Sequence, residues 1–166
     1  MENIQIRNMQ TTDWEAVKNI YESGIATGVA TFEISAPSWE KWNNGHLIFA
    51  RLVVTINSNI IGWAALSPVS NRCVYGGVAE VSIYLSDDHR GQGIGKKLLQ
   101  RLIDESESNG IWTLQAGIFT DNIPSVKLHE NVGFRIIGRR EKIGKLKDHW
   151  KDNYILERRS KIVGID

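Results

Sequence analysis

Apolar and polar residues alternate over Ile4, Gln5 and Ile6, then apolar ones recur at helical spacing at Val17, Ile20 and Tyr21, so a short strand is expected to hand over to a helix. Between them, Thr12-Asp13-Trp14-Glu15 fits a capping box in which Thr12 and Glu15 satisfy each other's backbone amides, and the helix runs to about Ser23-Gly24. A loop through Thr31-Phe32-Glu33 leads to a second, short helix capped by Ser38. Leu47 to Ile56 is rich in β-formers, Asn57-Ser58-Asn59 supplies a hairpin turn, and Ile60 to Leu66 returns. Val78 to Leu85 reads as the next strand, with Val81, Ile83 and Leu85 on one face and Glu80, Ser82 and Tyr84 on the other. Leu98, Leu99, Leu102 and Ile103 form the buried stripe of a helix that begins near Gly93 and stops at Gly110. Trp112 to Phe119 is a strand, Asn122 caps a short helix with Pro124 in its first turn, and Gly133 ends it. Phe134 to Arg139 and Asn153 to Arg159 complete the sheet. The order β-α-α-β-β-β-α-β-α-β-β, with no internal repeat and no linker, predicts an α/β fold: one domain over residues 1–166 in which a mixed sheet is flanked by helices.

Chemistry concentrates where the Val78–Leu85 strand ends. Arg90-Gly91-Gln92-Gly93-Ile94-Gly95-Lys96 places three glycines in five residues at the start of a helix, where bare backbone N–H groups and the helix dipole together favour a bound phosphate. Two familiar phosphate motifs fail on spacing. A dinucleotide fingerprint needs a glycine where Lys96 stands, and a P-loop needs a glycine at Arg90 and a hydroxyl at Lys97.

Composition narrows the partners. A formal net charge of +1 gives no global attraction to nucleic acid or to an anionic membrane. The basic residues from Arg135 to Lys161 are interrupted by Glu141, Asp148, Asp152 and Glu157, as on a solvated surface. Cys73 is the only cysteine, so the chain forms no internal disulfide, and metal-ligand spacing of the C-x-x-C kind is absent. Met1-Glu2-Asn3 does not open a leader, and no run approaches the 18 or so apolar residues of a membrane span, so a cytoplasmic protein is expected.

What survives at Arg90 to Gly95 is R-x-x-G-x-G, which resembles the acyl-CoA signature of the GNAT superfamily of N-acetyltransferases. The resemblance extends along the chain. Thr31-Phe32-Glu33 before Ser38-x-Glu40, Arg72 to Tyr75, Ala79 to Tyr84, Asn122-x-x-Ser125, Leu128-His129-Glu130 and Gly133-Phe134 are similar to the phosphinothricin and methionine-sulfoximine N-acetyltransferases. This implies a mostly antiparallel sheet splayed at the CoA-binding strand, and transfer of an acetyl group from acetyl-CoA to the α-amine of a small amino-acid analogue through a ternary complex. A homodimer is also implied.

The same resemblance assigns Ile83, Tyr84 and Leu85 to the pantetheine arm. Arg90, Gly91, Gln92, Gly93, Ile94, Gly95 and Lys96 fall to the pyrophosphate, and Asn122 and Ser125 to further cofactor contacts. Phe32 and Glu33 match the amine-side loop, and Arg72 is suited to a carboxylate or phosphinate. Many of the resembling enzymes read Ala-Tyr-Arg where this chain has Val74-Tyr75-Gly76, so one substrate-clamping cation is missing here. Arg140, Lys145 or Lys147 are the candidate replacements on the late hairpin.

An α-ammonium group must lose a proton before it attacks. Glu80, on the polar side of its strand, is the candidate base, since partial burial raises a carboxyl toward neutrality. His129 stands where many GNAT enzymes carry tyrosine and is the candidate acid or proton shuttle for the departing thiolate. Competing readings are acetylation of a protein terminus, polyamine or aminoglycoside, a non-catalytic acyl-CoA sensor, and a partner-binding module using Trp39, Trp42 and Trp150.

Overall fold

The computed structural model describes residues 3–166. In chain order its elements are β1 (Ile4–Asn8), α1 (Trp14–Ala26), α2 (Trp39–Gly45), β2 (Leu52–Ile56), β3 (Asn59–Pro68), β4 (Val78–Leu85), α3 (Ile94–Ser108), β5 (Thr113–Phe119), α4 (Ile123–Glu130), β6 (Arg135–Leu146) and β7 (His149–Arg159). The strands form one seven-stranded sheet in the order β1-β2-β3-β4-β5-β7-β6, antiparallel except where β4 meets β5.

Both faces of the central strands are covered, which is why Leu52-Val53-Val54-Thr55-Ile56 is buried throughout and shows no polar alternation. Leu52, Val54 and Ile56 pack toward Leu98, Leu99, Leu102 and Ile103 of α3. Val53 and Trp63 pack on the opposite face against Val17 and Ile20 of α1 and Trp42 of α2. On β4, Val81, Ile83 and Leu85 lie against the α3 cluster and Tyr84 against the α1 cluster, as the alternation requires.

The feature that positions the site is a split in the sheet. β4 and β5 pair only through Val78↔Thr113, Ala79↔Leu114 and Glu80↔Gln115. Past Glu80, β4 stays paired to β3 as far as Gly62↔Leu85, while β5 follows β7 as far as Phe119↔Asn153. The β5-facing main-chain groups of Val81 to Leu85 therefore have no strand partner.

Several local expectations are corrected. The capping box at Thr12 and Glu15 does not form; α1 is preceded by a 3-10 turn, Thr11–Asp13, whose buried Asp13 accepts from the Gln10 amide at 2.7 Å and from both terminal nitrogens of Arg7 at 2.7 and 3.0 Å. An acid two positions from the expected one does the work because it also captures Arg7 on β1. The β-run starts at Leu52 and not at Leu47. The Arg51 guanidinium donates to the carbonyls of Asn43, His46 and Leu47, holding the preceding backbone in a loop in which Ala50 has φ 54°. Asn57 and Ser58 do form the turn, both at positive φ (48° and 71°), and Ser38 does cap α2, accepting from the Lys41 amide.

The last two strands are longer than expected. β6 and β7 continue past Arg139 and begin before Asn153, making an exposed hairpin that carries little apolar alternation. A bulge between Arg140 and Gly144 is held by Asp152, which accepts the Lys142 amide at 2.8 Å and the Arg139 guanidinium. The bulge brings Gly144 under the ring of Phe32, so closely that a Cβ there would stand 3.0 Å from the ring.

Candidate active site

The glycine-rich loop follows β4 where the split is open. Gly91 and Gly93 have φ of 73° and 78°, a backbone other residues adopt at a cost, and a Cβ at either would point into open space. Gly95 has a different role: a Cβ there would lie 3.2 Å from Leu85 and 3.5 Å from Leu128, so this glycine lets α3 approach the strand. Ile94 is buried in the core, which anchors the turn and leaves only its amide for a ligand. None of the amides from Gly91 to Lys96 finds an acceptor among the described residues. Six consecutive N–H groups at the start of a fifteen-residue helix form an anion cradle with room above it. Arg90, half-exposed, is paired to Asp87 at 2.9 Å, a contact weak enough for an anion to displace, and the Gln92 side chain donates to the Asp88 carbonyl.

Glu80 lies at the last paired position of β4, immediately before the split. Burial raises its pKa above the ordinary carboxylate range, and a hydrogen bond from Gln115 and the positive charge of Arg140 oppose that rise. Its carboxylate looks onto Gly117 of β5: a Cβ at Gly117 would be 3.7 Å from Glu80 Oε1 and 3.3 Å from Asn153 Nδ2. Two polar ends thus share an exposed gap that only glycine leaves open. On the same face Tyr21 and Tyr84 pack ring to ring at 4.8 Å, and burial raises both hydroxyls above the usual phenol range, so each stays protonated. The Tyr84 ring also stacks on Trp63, and the register that bonds the Ser86 amide to the Ile61 carbonyl turns the Tyr84 main chain toward β3, so that of the three expected pantetheine contacts Ile83 and Leu85 face the split and Tyr84 does not.

His129 is 2 % exposed, edge-on to Phe134, with Nδ1 2.7 Å from the Ser125 carbonyl. A carbonyl only accepts, so Nδ1 carries a proton; burial lowers the ring's pKa, which disfavours a second proton on Nε2. Burial thus disfavours the doubly protonated ring from which a general acid would donate, and Nε2 is the atom left to exchange a proton. His129→Phe is expected to keep turnover within about threefold while costing roughly 1 kcal/mol of stability for the lost hydrogen bond, read by steady-state rates and denaturant unfolding. A far larger loss of turnover with intact folding would restore His129 to the proton path. Asn122 does not cap α4 with its side chain; Nδ2 donates instead to the Val29 carbonyl at 3.2 Å, tying α4 to the loop after α1. Ser125 is half-buried and beside it.

The expected substrate residues divide between two places. Phe32 packs edge-on against Phe119 at 4.6 Å, and Glu33 borders a cleft of about 330 Å³ with Glu22, Ile34 and Lys147. Val74 and Tyr75 line another cleft, about 460 Å³, whose far wall includes Trp112, Gln115 and Glu157. Gln115 joins this second cleft to Glu80. Arg72 does not reach Glu80: its guanidinium lies over the Tyr75 ring at 5.6 Å. Gly76, where the resembling enzymes have arginine, is exposed and adds no side chain.

The split in the sheet has a cradle of free amides beyond one end and a half-buried carboxylate at the other, which puts strand-like pairing and anion binding in line with a proton acceptor, and comparison with known proteins decides the family. The acetyltransferase (GNAT) family profile matches residues 5–134. The chain belongs to the GNAT acetyltransferase family. A GNAT relative from Bacillus subtilis (strain 168), provisionally named phosphinothricin acetyltransferase YwnH, is 37 % identical over 134 residues, covering 78 % of this chain and 82 % of that protein. The L-amino acid N-acyltransferase MnaT of Escherichia coli (strain K12) is 28 % identical over 154 residues, 90 % of each. Among solved structures, a GNAT phosphinothricin acetyltransferase from Sinorhizobium meliloti in complex with AcCoA superposes with a TM-score of 0.83 at 28 % identity, covering 98 % of this chain and 96 % of that one.

Within this GNAT chain, sequence reasoning did not reach Gln115, Gly117 or Asn153. Gly117 carried a usable signal, since an isolated glycine inside a strand marks a close approach or a gap. Among the described residues no group of three His, Cys, Asp or Glu side chains is arranged to hold a metal, and no helix is long and apolar enough to cross a membrane.

Proposed function

We propose that this protein is an acetyl-CoA-dependent N-acetyltransferase acting on the α-amine of small amino acids or of analogues of the phosphinothricin, methionine sulfoximine and methionine sulfone type. The observation that carries the reading is the run of free amides from Gly91 to Lys96 beside the unpaired edge of β4, one step from Glu80. Names of relatives at 37 % and 28 % identity support the substrate class.

The amides of Gly91 to Lys96 fit the diphosphate, with Arg90 and Lys96 adding charge at its rim. The free main-chain groups of Val81, Ile83 and Leu85 offer strand-like pairing to the pantetheine amides, with the Tyr84 ring beside them. Asn122 and Ser125 border the arm from α4. Acetyl-CoA supplies the acetyl group as an activated thioester; the amine nitrogen forms the C–N bond as the C–S bond breaks, and CoA leaves as a thiolate that takes up the second proton the nitrogen sheds.

Glu80 removes the obstacle to attack. The proton on the incoming ammonium passes to a carboxylate oxygen of Glu80, which frees the nitrogen lone pair. Burial raises Glu80's proton affinity toward that task, while Gln115 and Arg140 keep enough of it ionised to accept. Tyr21 and Tyr84, protonated at any working pH, serve as hydrogen-bond donors and not as bases. Phe32 and Glu33 close the amine side.

Thiol release from acetyl-CoA, followed across a panel of L-amino acids, methionine sulfone, methionine sulfoximine, phosphinothricin, a polyamine and a peptide amine, tests the reading. N-acetylated amino acids, confirmed by mass, are expected. Turnover confined to the polyamine or the peptide would reassign the substrate, and binding without turnover of any amine would make the protein a sensor.

A further inference from the structure

Four strands contribute one side chain position each to a diagonal row on the α1 face of the sheet: Glu80 on β4, Gly117 on β5, Asn153 on β7 and Arg140 on β6. Register fixes the last step, since Arg140 and Asn153 are direct partners across β6 and β7. The Gly117 gap fixes the first two, with Glu80 Oε1 and Asn153 Nδ2 on either side of it.

Along this row the chemistry changes sign, from a carboxylate through an empty space and an amide to a guanidinium. An α-amino acid carries the reverse order, an ammonium and a carboxylate separated by a single carbon. We infer that Arg140, with Asn153 beside it, binds the α-carboxylate of the substrate while Glu80 holds the amine, so that the enzyme selects α-amino acids over amines lacking a carboxylate. The inference rests on the proposed function and names what that reading leaves open.

Three observations converge on Arg140 and not on another cation. Among the described residues its guanidinium has neither an ion pair nor a hydrogen bond, whereas the neighbouring bases are committed: Arg139 to Asp152, Arg135 to Glu157, Arg158 to Glu107 and Lys151 to Asp121. Asp152 and Glu157 are thus taken, and among the described residues Arg140 is left without an internal partner. Its positive charge is the one charge felt at Glu80, which puts it on the carboxylate's side of the sheet. Of the other candidates, Arg72 is turned onto the Tyr75 ring, Lys145 onto the Trp150 ring, and Lys147 borders the cleft beside Glu33.

Asn153 adds independent weight. It is buried, and its Oδ1 has no hydrogen-bond donor, an acceptor that the substrate's ammonium and not its carboxylate would satisfy. The Nδ2 end faces the Gly117 gap, where a carboxylate oxygen is the acceptor it lacks. Arg140 supplies the planar fork that a carboxylate accepts in two bonds, and Asn153 the neutral donor that fixes its orientation.

Steady-state kinetics with L-methionine sulfone and with its carboxamide, on wild type, Arg140→Gln and Arg140→Lys, test this. Wild type is expected to prefer the free acid. Arg140→Gln raises KM for the acid at least tenfold more than for the carboxamide, any change in kcat from withdrawing its charge from Glu80 is common to both substrates, and Arg140→Lys recovers part of the loss. An unchanged KM for the acid in Arg140→Gln, or an equal rise for both substrates, overturns the inference while leaving the proposed function standing. Absence of wild-type turnover with any amino acid overturns both.

Discussion

Glu80→Gln lowers kcat/KM for acetyl transfer by about 10²- to 10⁴-fold near neutral pH, the usual worth of a positioned general base. The amide keeps the shape and the Gln115 contact but accepts no proton. The loss is expected to shrink as pH rises, because the substrate amine then loses its proton to solvent. In the wild type the rising limb of kcat/KM tracks ionisation of Glu80, and since burial outweighs Gln115 and Arg140, that limb lies above the ordinary carboxylate range. A pH-independent loss, or none, removes Glu80 from the chemistry.

Stability should move the other way. A carboxyl whose pKa is raised on folding favours the native state while it is protonated and opposes it once pH exceeds the folded value. At neutral pH the buried charge of Glu80 therefore works against folding, and Glu80→Gln is expected to unfold at the same denaturant concentration or a higher one. Lower activity with equal or greater stability is the signature of a residue kept for its reactivity.

Gly93→Val weakens acetyl-CoA binding by about 10- to 100-fold, the loss of roughly 1.4 to 2.8 kcal/mol from the cradle. Gly93 has φ 78° and stands as N-cap of α3, so a β-branched residue either strains the turn or re-aims the amides that follow. Nothing in the protein opposes the new side chain, which projects into the space above the loop. Gly110 is the matched control. It has φ 80°, equally open surroundings, and lies just beyond the other end of the same helix. Gly110→Val should cost similar stability and leave acetyl-CoA affinity unchanged; parallel losses of affinity in both would mean that the effect travels through folding and not through the amides.

The parts legible in the sequence are those set by local chemistry. The glycine spacing at Gly91 and Gly93, the alternation that puts Glu80 and Tyr84 opposite Val81 and Ile83, and the stripe from Leu98 to Ile103 all state their structure within a few residues. The element order follows from them. Less legible were features set by distant partners. Asp13 in its 3-10 turn is held by Arg7 of β1, Asn122 leaves its helix to bind Val29, and the Leu47 region is held as loop by Arg51. The β6–β7 hairpin is long because Asp152 pins a bulge, an arrangement with no periodic trace. The row from Glu80 to Arg140 spans four strands and 73 residues of sequence before Asn153 closes it, so only sheet order and register bring it together.

The central claim is that main-chain amides at the start of α3 grip the diphosphate of an acyl carrier. Titration calorimetry with acetyl-CoA and, separately, with S-acetylpantetheine, which keeps the thioester arm and lacks the diphosphate, tests it directly. Single-site binding of acetyl-CoA is expected, with S-acetylpantetheine bound at least tenfold more weakly; equal affinity for the two, or no heat with acetyl-CoA on folded protein, would contradict it.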